Sequence, residues 1–251
     1  MTRNRWILAL IAILAVGAGG YLAYDNVLRG DDVAPLALST PAPNAAATTD
    51  PSAATATDGA SADPSAAADG AVAGSWTVTD GSEAGYRVRE QLANLPAESD
   101  AVGRTTDVTG SITIVEAGDG AQLTAGDIAI DTTTIASDES RRDNRLRTEG
   151  LQTEQFPTAT FTLTAPVDVP AAALTGTAAD LTLVGNLTLH GVTKSVQIPA
   201  QAVLANGQVQ VAGSLTFPLS DFQITAPNVG GFILSIADEG ALEFRVVFAK
   251  A

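Results

Sequence analysis

From Trp76 to the C-terminus, apolar side chains fall on alternate residues in one short run after another, and this period of two constrains the fold more than any other feature. Successive side chains of a strand point to opposite faces, so each such run has one buried face and one facing water. The clearest case closes the chain. Leu242, Phe244, Val246 and Phe248 share one face, Glu243 and Arg245 the other, and the second face is expected to meet water. Earlier runs are Trp76–Val78, Tyr86–Arg89, Val108–Ile114, Asp127–Asp131, Thr160–Thr164, Leu181–Leu183, Leu187–His190, Val196–Ile198, Val209–Val211 and Ser214–Leu219. Asn206-Gly207, just before Val209, is the strongest short hairpin signal in the chain. Seven or more short strands with turn residues between them predict an antiparallel all-β sandwich or closed barrel. One helix is expected, over Ser137–Glu149. Ser137 can cap it, Asp138 and Glu139 suit its first turn, and Gly150 stands where it should stop.

The rest of the chain is organised differently. Residues 1–24 are apolar behind Arg3 and Arg5, with Trp6 at one end of the run and Tyr21 and Tyr24 at the other. About 19 apolar residues match the ~30 Å hydrocarbon core of a bilayer, with interfacial aromatics at both ends. The run outlasts the usual ~7–15 residues of a signal-peptide core, so an uncleaved membrane anchor is expected, with a cleaved signal peptide as the alternative. Either way the arginines before the run and Asp25, Asp31 and Asp32 after it place the remainder outside the cytoplasm. Residues 25–73 are Ala, Thr, Ser, Pro, Asp and Gly in the main, with too few large apolar side chains to offset the entropy of ordering. They read as a disordered linker that as a free coil would reach roughly 35–42 Å on average. The folded domain is then 74–251, large enough to bury a core of its own.

Composition excludes several functions. Thirteen Lys and Arg against 28 Asp and Glu leave a net charge of −15, which argues against a nucleic-acid partner. The absence of cysteine removes disulfides, thiolate metal sites and thiol catalysis. A single histidine, His190, cannot build a His-rich metal site. It has no nucleophile pattern beside it and reads as an outward strand residue rather than a general base. No catalytic set, metal site or cofactor is expected. Arg141, Arg142, Arg145 and Arg147 make a dense cationic cluster in an acidic chain, either to meet an anionic headgroup or to pair with Asp138, Asp143 and Glu149 on a solvated helix.

A family resemblance runs through these same segments. It begins at Trp76-Thr77-Val78-Thr79-Asp80 and continues through Val108-Thr109-Gly110-Ser111-Ile112, Arg142-Asp143 with Leu146-Arg147, and Phe156-Pro157 with Phe161. It is densest at Gly185-Asn186-Leu187-Thr188-Leu189-His190-Gly191-Val192-Thr193-Lys194, and ends with Asp221-Phe222 and Asp238-Glu239. Over about residues 74–250 the chain resembles the YceI-like family, bacterial polyisoprenoid-binding proteins with a lipocalin-like antiparallel barrel. It departs from that pattern in having Glu83-Ala84-Gly85-Tyr86 without a histidine, and Arg145 where a histidine is frequent. The resemblance implies a barrel of about eight strands with one short helix and a tunnel for an isoprenoid lipid, of quinone or polyprenyl type. Phe161, Leu163, Leu187, Leu189, Phe217, Phe222, Leu242 and Phe244 are the candidate tunnel lining, and Arg141, Arg142 and Arg145 the candidate headgroup contacts. Barrels of this size hold either side chains or one small ligand, so the same residues equally suit a filled core. In that case the domain is a structural or protein-interaction module on a flexible stalk. The sequence leaves pairing of two barrels as a homodimer open.

Overall fold

The computed structural model describes residues 33–39, 72–92, 98–118, 120–226 and 233–251; the expected anchor and most of the expected linker lie outside them. Among the described residues no helix is long and apolar enough to cross a membrane. The strands in chain order are β1 (Gly74–Val78), β2 (Glu83–Leu92), β3 (Glu98–Thr105), β4 (Val108–Ala117), β5 (Gly120–Asp131), β6 (Thr158–Leu163), β7 (Val167–Val169), β8 (Ala179–Leu189), β9 (Val192–Ala205), β10 (Gln208–Pro218) and β11 (Ile233–Lys250). All pairings are antiparallel. Eight strands close a ring in the order β1, β4, β5, β6, β8, β9, β10, β11 and back to β1. The ring closes because β11, 18 residues long, pairs with β10 along one edge and with β1 and then β2 along the other. Beyond that junction β2 and β3 extend the wall, and a bridge between Arg104 and Ala136 ties β3 to the segment that follows β5. Of the two antiparallel all-β architectures expected from the alternation, the one observed is the closed barrel, which is also what the resemblance implies.

Two pairs of short runs prove to be single strands, β8 and β10. The apolar rhythm breaks in the sequence at Gly185 and Gly213, yet both are inward positions whose missing side chain is replaced by a cross-strand ring. A Cβ on Gly185 would stand 2.4 Å from the Phe161 ring, and one on Gly213 would stand 2.8 Å from Phe244. Gly103 on β3 takes Tyr86 in the same way, at 2.3 Å. Strand β3 was not foreseen because its inward residues, Ser99, Ala101, Gly103 and Thr105, carry no large apolar side chain. The Asn206-Gly207 hairpin forms as expected, with φ of 54° and 72° and Ala205 paired to Gln208.

Two expectations are corrected. The helix, α1, spans only Ser140–Arg145, and its cap is Glu139, whose carboxylate accepts from Arg141 N–H. Ser137 is drawn away because its hydroxyl and backbone N–H both donate to Asp143 Oδ1, at 2.6 and 3.0 Å. After α1 the chain widens into a π-type turn, Leu146–Gly150, closed by Leu151 N–H donating to Leu146 O at 2.7 Å. The left-handed residue that follows is Gln152, at φ 49°, not Gly150. The other correction concerns the outer face of β11. Glu243 points outward but is only 3 % exposed, because Arg87 and Arg104 close over it; Arg87 Nε donates at 2.6 Å and Arg104 Nη2 binds the second oxygen.

The core is uneven along the barrel axis. At the end where β1 closes the ring, Trp76, Ile112, Ile114, Leu123, Val209 and Phe248 are all buried and fill the interior. At the other end β5, β8 and β10 finish at Asp131, Leu189 and Pro218, and α1 and the π-type turn lie across the opening. A short 3₁₀ turn, Leu219–Phe222, completes that rim.

Candidate functional site

The interior at the helical end is vacant. A cavity with about 120 Å³ of free volume lies there, within about 1060 Å³ of atom-free space counted out to the open mouth. Its walls are Val88 on β2, Ala101 on β3, Ile130 on β5, Ala159 on β6, Leu189 on β8, Phe217 on β10 and Leu242 on β11. Leu146, Gly150 and Leu151 roof it. The π-type turn is what brings those three residues inward; irregular helical turns of this kind recur at functional sites. Small residues at Ala101 and Ala159, and the Tyr86 ring held against Gly103, leave the space open that larger or free-standing side chains would fill.

A compact polar cluster interrupts this apolar lining. Glu90, 3 % exposed, points inward on β2 and accepts from Arg142 Nη2 at 2.7 Å. Arg142 Nη1 binds Asp138, and Arg145 reaches Glu149 at 3.2 Å, so both arginines at the cavity are matched by carboxylates. Burial works against the charge on Arg142, but Glu90 and Asp138 outweigh it and hold the guanidinium above its ordinary value. Burial pushes the Tyr86 phenol up to about 12. Three buried polar atoms in this region, Tyr86 Oη, Ser99 Oγ and Arg142 Nε, have no hydrogen-bond partner of normal geometry. Each can donate, and leaving such groups unpaired costs about 1–3 kcal/mol apiece unless something fills the gap.

The sequence candidates separate on this geometry. Leu189, Phe217 and Leu242 line the cavity, as do Arg142 and Arg145. Leu187 and Phe222, each 1 % exposed, are packed into the core, Phe244 is buried against Gly213, and Phe161 and Leu163 are half-buried against the core. Arg141 is exposed at the surface and does not line the cavity. His190 is not an outward strand residue. It occupies the β8–β9 turn at φ 51°, its Nδ1 sits 3.0 Å from Phe222 O, and its ring meets Phe156 edge-on at 4.7 Å. It fastens the 3₁₀ rim to the barrel. Among the described residues no group of three or more His, Asp or Glu side chains is placed to hold a metal.

Sequence reasoning passed over Tyr86, Val88 and Glu90, which supply one wall and the buried acid. A signal was present. In the alternation Ala84, Tyr86, Val88, Glu90, a carboxylate occupies a core-facing register where only a paired or functional charge survives.

Comparison with known proteins places this geometry. The YceI-like domain family matches residues 76–248. A UPF0312 protein of Shewanella baltica (strain OS185) is 35 % identical over 133 residues, and one of Pseudomonas aeruginosa (strain LESB58) is 36 % identical over 129. Each alignment takes in 49 % of this chain and spans 63 % and 62 % of the relatives' own length. Among solved structures, a polyisoprenoid binding domain from Saccharophagus degradans superposes with a TM-score of 0.54. It is 17 % identical and covers 71 % of this chain and 99 % of its own. BcnA of Burkholderia cenocepacia superposes with a TM-score of 0.50, at 19 % identity over 66 % and 95 % of the two chains. At these identities the likeness is one of fold.

Proposed function

This chain belongs to the YceI-like domain family, and on that premise we propose that its barrel binds an isoprenoid lipid, the hydrocarbon chain entering the cavity at the helical end. The observation that carries this is an almost wholly apolar cavity whose wall also holds the buried Glu90–Arg142 pair and the Tyr86 phenol. Apolar walls favour a hydrocarbon by about 25 cal/mol per Å² removed from water. The polar cluster then receives the oxygen-bearing head. Because Arg142 and Arg145 are already matched by Glu90, Asp138 and Glu149, the site offers donors without net positive charge. That suits a neutral carbonyl or hydroxyl head, as in quinones and polyprenols, better than a pyrophosphate. The fold shared with a polyisoprenoid binding domain supports the same class.

In this reading the protein sequesters or carries its lipid and makes or breaks no bond. The apolar run of residues 1–24 supports a site beside the bilayer, outside the cytoplasm, from which such a lipid would be drawn. The test is binding of an isoprenoid quinone to the purified chain. Ala159→Phe, which fills the vacancy, should weaken binding at least tenfold while the chain still melts cooperatively; Leu123→Met, at the packed end, should leave it unchanged. Equal binding by both variants would contradict the assignment.

The packed half of the barrel favours a second reading, a filled structural or interaction module on a stalk. That reading predicts that no isoprenoid binds at all.

A further inference from the structure

Seven residues of the expected linker, Val33–Ser39, lie on the outside of the barrel, ahead of the family-matching region. Both ends are pinned. Val33 O accepts from Arg87 Nη2 on β2 at 2.6 Å, and Ser39 N–H donates to Gln210 Oε1 on β10 at 3.1 Å. Between them Leu36 and Ala37 share a groove with Pro199, Ala200 and Ala212 of β9 and β10. The receiving surface is built for this. Arg87 is held by Asp100 at 2.9 Å as well as by Glu243, so its free nitrogen is presented in a fixed place. Gln210 and Ala212 point outward by the alternation of β10, yet are only 8 % and 5 % exposed. Pro35 restricts itself and Ala34 to extended backbone, which lowers the entropy lost when the segment docks.

We propose that Val33–Ser39 is a clasp, a ligand built into the chain for the outer wall of its own barrel, which turns a 49-residue tether into one of eight residues. With Val33 fixed to β2, only residues 25–32 separate the barrel from residue 24, a span of at most roughly 30 Å. Undocked, all of 25–73 is available, and the barrel roams much farther. Where residues 1–24 sit in a bilayer, the clasp keeps the barrel at its surface with the β2–β11–β10 wall turned towards it; this consequence rests on the anchor reading.

The chain has no cysteine, so nitroxide labels can be placed at will. In the full chain, labels at Ala37→Cys and Glu116→Cys, the second in the β4–β5 hairpin, should give one narrow distance distribution. Leu36→Asp should broaden it without changing barrel melting. A broad distribution in the chain without that substitution would overturn the clasp. A second pair, Asn26→Cys with Glu116→Cys, should lengthen and broaden on Leu36→Asp. If that pair is indifferent while the first responds, the segment docks but does not set the tether. Neither outcome depends on lipid binding, so failure here and failure of the carrier reading are separable.

Discussion

Two ionisable residues carry consequences of their own. Glu243 is buried, which alone would raise its carboxyl, but Arg87 and Arg104 more than reverse this and hold it below the usual value. A carboxyl lowered by folding contributes stability that is fully present above its unfolded value near 4.5 and is lost as pH falls through the folded value. Denaturant unfolding should therefore show Glu243→Gln to cost about 3 kcal/mol at neutral pH, the low end for breaking a buried ion pair. The deficit should start to shrink below about pH 4.5, where Glu243 of the unfolded chain takes up a proton, and go on shrinking until the lower folded value is passed. A deficit independent of pH would place the carboxylate's partners elsewhere. Tyr86 gives a second test. Its phenol, pushed up to about 12, should ionise well above the ordinary tyrosine value of 10.0, so the absorbance step lost on Tyr86→Phe should be one that appears only late in an alkaline titration.

At the scale of strands, the pairing of an inward ring with a cross-strand glycine is the recurrent device. It repeats at Tyr86/Gly103, Phe161/Gly185 and Phe244/Gly213, and keeps the rings against the wall instead of across the axis. Gly185→Ala drives a methyl into Phe161 and Thr162 O, so it should cost about 1–3 kcal/mol, readable as a fall in melting temperature. The same device explains what the sequence did and did not disclose. Alternation exposed the strands whose inward residues are large, such as β11. It broke at Gly185 and Gly213, where the apolar group comes from a neighbouring strand, and it was silent along β3. The helix was visible in outline, but not the competition between Ser137, Glu139 and Asp143 that moves its start, because that competition is settled by side-chain geometry within one turn.

At the scale of the molecule, the barrel is packed at one end and open at the other, and the proposed function rests on that asymmetry. The large inward side chains that stand out in the sequence, Leu187, Phe222 and Phe244 among them, belong to the packed core. A cavity is defined as much by small residues, Ala101 and Ala159, and by rings held aside, and neither stands out in a linear reading. Glu90 and Arg142 lie far apart in sequence, so their pairing needed the folded wall. The central claim, that the vacancy belongs to an isoprenoid chain, is tested most directly by native mass spectrometry of the full chain purified from membranes. The account predicts a bound species whose mass and fragmentation are those of an isoprenoid lipid, absent from Ala159→Phe. A wholly unliganded protein, or one whose adducts survive Ala159→Phe unchanged, would contradict it.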